Sequence, residues 1–262
     1  MNVLITGSAS GIGNATVNYF LSKNIKVYGI DVLDLKPQTN LINFKADITS
    51  EESLKEIKNY LINNDIKLDL IINIAGIHRM ASLVETDYSV LKKVIDINLC
   101  GTMLVNKTFH DCLKNNGKVI IVTSEVATFD PMPFNGLYNV SKTALDCYSQ
   151  ALRQELNLIG QTVITIRPGA IKTPLSDNSL VDTQNLADTT KLYQKQASKF
   201  VRITKKFMGT PLDANKLAKK IYKVSIKKRP KLVYKTHRNP GLVLLNILPK
   251  KWQCRIIKFI LK

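Results

Sequence analysis

The sequence predicts an α/β fold in which a parallel sheet is covered by helices on both faces. Three observations carry that expectation. Short β-branched runs alternate with segments of helical period through most of the 262 residues. The runs are almost continuously apolar, as strands buried on both faces are. The first run also passes through a glycine-rich turn straight into a helical segment, the start of a strand–helix–strand unit.

Taken in order, the candidate strands fall at residues 2–6, 26–30, 41–46, 68–74, 118–123, 162–166 and 231–234, with helical patterns at 13–23, 51–63, 88–112, 141–158 and 213–227. Thr49-Ser50-Glu51-Glu52 has the form of a capping box and marks the start of the second helix. Residues 191–207 place Leu192, Tyr193, Ala197, Phe200 and Val201 on one helical face. No repeat, low-complexity run or Gly/Ser linker marks a domain boundary before about residue 175.

A 45% hydrophobic and 22% charged composition is ample for a core and excludes a disordered chain. No apolar stretch approaches the roughly 20 residues of a spanning helix. Met1 and Asn2 lead directly into Val3-Leu4-Ile5 without a basic leader, so no secretory signal is expected. Cys100, Cys112, Cys147 and Cys254 are scattered, with no metal-ligand spacing, and read as reduced residues of a cytoplasmic protein. The net charge of +18 is unevenly divided. Residues 1–190 carry 17 Lys/Arg against 19 acids, whereas residues 191–262 carry 21 against the single acid Asp213. So basic a tail suits nucleic acid or an anionic membrane surface.

Thr6-Gly7-Ser8-Ala9-Ser10-Gly11-Ile12-Gly13 joins the first strand to the first helix. Gly7, Gly11 and Gly13 permit a tight turn and close approach of a pyrophosphate, which the helix N-terminus would meet with N–H donors. Asp31, at the end of the second strand, can accept hydrogen bonds from an adenine-ribose diol and would repel a 2′-phosphate. With Ser10 also uncharged, NAD is expected over NADP. Asp47-Ile48 follows the third strand and reads either as an adenine contact or as a helix-flanking acid. Asn73-Ile74-Ala75-Gly76 ends the fourth. Ala75 and Gly76 are small enough for a ribose to lie against the backbone, and Asn73 is expected to tie neighbouring strands together.

Tyr138 and Lys142 stand four residues apart, on one face of a helix. A free phenol has a pKa of about 10. The Lys142 ammonium and an oxidised nicotinamide are expected to depress it, so that Tyr138 serves as acid and base. Ser124, at the end of the fifth strand, can hydrogen-bond a substrate oxygen. Asn98 is expected to bend its helix around a water leading from Lys142 to solvent.

This ordered set resembles the short-chain dehydrogenase/reductase family over nearly the whole chain. The resemblance implies a single Rossmann domain over residues 1–262, with a seven-stranded parallel sheet, and hydride transfer between NAD and an alcohol/carbonyl pair. It implies Asn98, Ser124, Tyr138 and Lys142 as the catalytic set, and Pro168, Gly169, Ile171 and Thr173 as further cofactor contacts. It also implies a homo-oligomer, dimer or tetramer. Two departures are small: Ile74 replaces a second Asn, and Glu125 follows Ser124 where a small residue is common.

Phe129, Met132 and Phe134, in a proline-stiffened segment beside Tyr138, point to a hydrophobic substrate, or else to loop packing. Pro133-Phe134 ahead of Tyr138, with Ser141-Lys142 and the extended C-terminal part, resembles the hydroxysteroid and retinol dehydrogenase branch. Residues 174–210 are expected to cover the substrate. Residues 239–262 form a basic amphipathic segment in which Lys251, Arg255, Lys258 and Lys262 fall in a stripe about 60° wide. Trp252, Ile256, Ile257, Phe259 and Ile260 spread over much of the rest, an arc that must be buried in protein or in lipid headgroups. No nucleic-acid reading module is evident. The expected activity is an NAD(H)-dependent interconversion of a secondary alcohol and a ketone on a steroid-like or lipid-like molecule. The competing readings are a membrane-surface reductase of a fatty-acyl or sphingoid ketone and a non-catalytic NAD(H)-binding sensor or scaffold.

Overall fold

The computed structural model describes residues 1–207 and 210–262, the side chains of residues 177, 180 and 205–207 excepted. Nine strands are present among them: β1 (Asn2–Thr6), β2 (Lys26–Asp31), β3 (Leu41–Lys45), β4 (Leu68–Asn73), β5 (Leu113–Val122), β6 (Thr162–Pro168), β7 (Ile171–Lys172), β8 (Leu212–Asp213) and β9 (Val233–Thr236). Seven form one parallel sheet in the order β3-β2-β1-β4-β5-β6-β9, and β7 pairs with β8 apart from it. The helices are α1 (Gly11–Leu21), α2 (Glu51–Asn63), α3 (Tyr88–Ile95), α4 (Thr102–Phe109), α5 (Gly136–Asn157), α6 (Pro174–Thr189), α7 (Gln194–Phe207), α8 (Ala214–Ser225), α9 (Pro240–Ile247) and α10 (Lys250–Leu261).

Alternation along each strand feeds two cores. Leu4, Tyr28, Ile71, Ile121 and Val163 point to the face covered by Leu54 and Leu61 of α2, Phe109 of α4 and Leu145 of α5. Val3, Ile5, Val27, Ile72, Ile120 and Ile164 point to the other, against Phe20 of α1 and Leu217 and Ile221 of α8. Strands buried this way lose nothing by being apolar at every position, which explains their unbroken hydrophobic runs. The order reverses between β1 and β4, so Thr6 and Asn73 end side by side at the switch point where such sheets hold ligands.

Several local expectations are corrected. The cap of α2 is Ser50, whose Oγ accepts from the Ser53 N–H at 3.2 Å, while Thr49 is held by Asp47. The pattern at 88–112 is not one helix, because a π turn (Asp96–Gly101) separates α3 from α4. Helix α5 begins at Gly136, five residues earlier than its periodicity suggests, so Tyr138 lies in its first turn. Leu192 is exposed ahead of α7, whereas Ala197, Phe200 and Val201 are buried. No helix among the described residues is long and apolar enough to cross a membrane.

Candidate active site

A cleft of about 950 Å³ runs over the C-terminal ends of β1, β2, β4, β5 and β6. Its floor at one end is the glycine turn. Gly7 (φ +69°) and Gly11 (φ +50°) adopt the left-handed backbone that side chains disfavour. A Cβ on Gly7 would lie 2.8 Å from Ala75, and one on Gly13 would lie 1.8 Å from the Gly7 carbonyl oxygen. Gly7, Ser10, Gly11 and Ile12 line the cleft. Gly13 does not; it lets α1 press against the turn. Ser10 caps α1 in extended conformation, its side chain making no cap bond.

Asp31, Asp47, Ile48, Ala75, Gly76, Pro168, Gly169, Ile171 and Thr173 all line the same cleft. Both carboxylate oxygens of Asp31 are already engaged, by Ala9 N–H at 2.9 Å and Leu33 N–H at 3.0 Å. Asp47 accepts from the N–H and hydroxyl of Thr49, each at 2.8 Å, the helix-flanking arrangement. Asn73 stands beneath the cleft and donates to Asn106 of α4 at 3.0 Å rather than to a strand. The tie between strands is made by Thr6, whose hydroxyl accepts from the N–H groups of Ile74 and Ala75. Thr173 caps α6 through Ser176 and sits against Gly11. A glycine cradle, a free helix N-terminus and a strand-end acid in one cleft fit a dinucleotide.

The other end holds Ser124, Tyr138 and Lys142. Ser124 follows β5 and caps a short 3₁₀ turn (Glu125–Thr128). Helix α5 is fixed by Asp146, one turn past Lys142, which takes two hydrogen bonds from Arg167 of β6 at 2.8 and 2.6 Å. The Lys142 ammonium lies 5.8 Å from the centre of the Tyr138 ring and 3.5 Å from the Val122 carbonyl. Without a bound nicotinamide the phenol is not depressed. Burial pushes Tyr138 up to about 12, opposed by its hydrogen bond with Ser124, and burial pushes Lys142 down to about 8. In the protein alone the tyrosine is therefore a proton donor at neutral pH.

Asn98 is buried within the π turn and does not line the cleft. Its amide donates to Ile77 O and Ser141 Oγ, both at 2.9 Å, and its oxygen accepts from Ile77 N–H at 2.7 Å. It braces the loop after β4 against the helix of Tyr138 and Lys142, a positioning role.

The apolar candidates part company. Met132 lines the cleft. Phe129 is buried under the Arg238 guanidinium, 4.6 Å from its ring centre. Phe134 packs on Phe200 and Tyr193 and faces a separate groove. The expected cover lies along the cleft through Leu175, Ser179, Phe200 and Ile203, with residues 208 and 209 outside the described residues. Arg79 holds α6 by an ion pair to Asp182 at 2.5 Å.

Two further residues, His78 and Glu125, stand at the centre. The His78 ring packs on Tyr138, and its Nε2 bonds Asn135, the cap residue of α5, at 3.0 Å. Burial lowers its pKa. Glu125, buried beside Ser124, accepts from Asn239 N–H at 2.7 Å and so joins the centre to the start of α9. Its departure from a small residue at that position was the visible signal.

A family model described as short chain dehydrogenase matches residues 1–184. The NADPH-dependent 1-acyldihydroxyacetone phosphate reductase of Schizosaccharomyces pombe is 34% identical over 185 residues, 68% of this chain and 62% of that protein, so less than two thirds of that relative is spanned. Ipsdienol dehydrogenase of Ips pini is 27% identical over 229 residues, 80% of this chain and 90% of that one. A short chain dehydrogenase family protein from Francisella tularensis superposes with a TM-score of 0.75 at 25% identity, covering 89% of this chain and 96% of its own.

Proposed function

The chain belongs to the short-chain dehydrogenase/reductase family and is an oxidoreductase, and from that premise we propose that it interconverts a secondary alcohol and its ketone on an apolar, steroid-like or lipid-like substrate with NAD(H). The observation that carries this reading is the meeting of Ser124, Tyr138 and Lys142 in a cleft that Met132, Leu175, Phe200, Ile203 and Leu242 also line. A non-catalytic scaffold would have no use for a buried ionisable pair at that point.

When bound, the nicotinamide cofactor supplies the hydride in reduction and accepts it in oxidation. Gly7, Gly11 and the N-terminus of α1 would hold its pyrophosphate, Asp31 its adenine ribose and Lys142 its nicotinamide ribose. Ser124 orients the substrate oxygen. In reduction Tyr138 donates its phenolic proton to that oxygen as charge develops, and in oxidation it takes the proton back. The neighbouring ammonium stabilises the phenolate left behind. Asn98 keeps the floor of the site in register with α5.

Two finer points have a second reading with its own support. Asp31 favours NAD(H), yet its oxygens already brace the turn, and the Schizosaccharomyces relative is named for NADPH; NADP(H) therefore stands beside NAD(H). The exposed apolar residues Leu244 and Ile247 support a fatty-acyl or sphingoid ketone reduced at a membrane surface.

The test is a panel of secondary alcohols and ketones of graded apolar size, assayed with each cofactor by absorbance of the reduced nicotinamide. Catalytic efficiency should rise with apolar size, and Tyr138→Phe should lose about 10²-fold or more in turnover while still binding cofactor. A preference for short polar alcohols, or near-normal turnover by the variant, would overturn the assignment.

A further inference from the structure

Helix α9 has the sequence Pro-Gly-Leu-Val-Leu-Leu-Asn-Ile; it half-buries Leu242, Val243, Leu245 and Asn246 and buries no residue fully. Its exposed side offers water only apolar groups, where a solvent-facing helix side is normally polar. Leu244 is 67% exposed and Ile247 74%. In α10, Gln253 and Leu261 are buried while Trp252, Phe259 (85% exposed) and Ile260 face outward. Across a neighbouring groove the apolar surface continues onto Leu83 and Val84, both exposed. Exposed apolar residues gathered on two consecutive helices and around a groove mark a docking face.

Charge indicates what covers it. Residues 239–262 contain five Lys/Arg and no acid. Lys250 is paired with Asp130, but Lys251, Arg255, Lys258 and Lys262 are exposed and in no ion pair among the described residues. Arg255 stacks over the Trp252 ring at 5.5 Å, an aromatic–cation pair suited to a headgroup layer. A second copy would have to bring the same basic patch against itself, since a two-fold interface is isologous. The opposite end of the same segment reaches the cleft, where Pro240 and Leu242 form part of its lining.

We propose that the α9–α10 face docks on an anionic membrane surface, with Leu244, Ile247, Trp252 and Phe259 among the acyl chains and the basic stripe at the headgroups. The cleft mouth at Leu242 then adjoins the bilayer, a route for apolar substrate; this last clause rests on the substrate reading above, whereas the docking does not.

Trp252 is the sole tryptophan, so its fluorescence reports on this face alone. With vesicles of phosphatidylcholine and phosphatidylserine its emission should shift to the blue and be quenched by brominated acyl chains, and salt should reverse both. Lys251→Gln with Lys258→Gln should weaken sedimentation with these vesicles about thirtyfold. Leu244→Glu with Ile247→Glu should abolish sedimentation while unfolding temperature and turnover of a water-soluble ketone are kept. The proposal is overturned by sedimentation without a Trp252 shift, by equal binding to pure phosphatidylcholine, or by no binding. It is equally overturned if the shift appears without lipid as protein concentration and mass rise together, which would assign the face to a second copy. Vesicle binding is read without substrate, so a docked protein that turns over only short polar alcohols removes the substrate reading and leaves the docking.

Discussion

The imidazole of His78 lies against the phenol of Tyr138, ring centres 4.4 Å apart and planes inclined by 55°. The same imidazole bonds Asn135 at the cap of α5, so one side chain sets both the ring and the helix that carries it. His78→Ala should lower turnover about tenfold through misplacement of Tyr138. His78→Phe, which keeps the ring stack, should recover most of it with little change in the cofactor dissociation constant. Equal loss in the two variants, with cofactor binding also impaired, would show a fold defect instead.

Ketone reduction should depend on Lys142. Burial lowers its pKa to about 8 and raises that of Tyr138 to about 12. Below about pH 8 the ammonium is charged and the phenol protonated, the pair needed for proton donation. As pH rises past 8 the ammonium is lost first. Initial rates of reduction should therefore be flat in acid and fall above about pH 8, approaching tenfold per unit. Lys142→Arg, which cannot deprotonate in this range, should abolish that limb even though it lowers the plateau.

Asp31→Ala should narrow the preference for NAD(H) over NADP(H) by about tenfold, through relief of repulsion at a 2′-phosphate. The ratio of catalytic efficiencies with the two cofactors measures it. A wild-type preference for NADP(H) would assign Asp31 to the support of Ala9 and Leu33 alone.

Gly13→Ala places a methyl 1.8 Å from the Gly7 carbonyl oxygen. The chain should lose about 3 kcal/mol of stability or shift the turn enough to lose cofactor binding, as overpacking does elsewhere. Ser10→Ala removes no cap bond and should leave the unfolding temperature unchanged. Thermal unfolding with and without NAD(H) separates the two effects.

The glycine turn, Asp31, Ser124, Tyr138 and Lys142 were legible in the sequence because each position needs a particular residue type. A left-handed backbone asks for glycine, and an acid/base pair on one helix face asks for a fixed spacing. Residues of one chemical type with two possible uses were not legible. Phe129, Met132 and Phe134 read alike, yet only Met132 reaches the cleft, because direction depends on a loop in which Phe134 takes φ +66°. The bonds of Asn98 to Ile77 and Ser141 were not legible, because they join elements far apart in the chain. Helix α9 was not legible as a separate element within the segment 239–262, since a short run broken only by Asn246 carries no periodic signal.

The π turn at residues 96–101 has a consequence for chain length. It accommodates one residue more than an α-helix would over the same rise. Deleting a single residue there would let α3 and α4 merge into one smooth rod, the arrangement of lower local strain. The helices on either side would keep their facing, because only the absorbed residue is lost, whereas residues inside the turn would change theirs. Val94 would stay on the core, but Asn98 would turn away from Ile77. A shorter and locally better helix would thus unfasten the floor of the cleft, which makes this stretch intolerant of indels even where it accepts substitution.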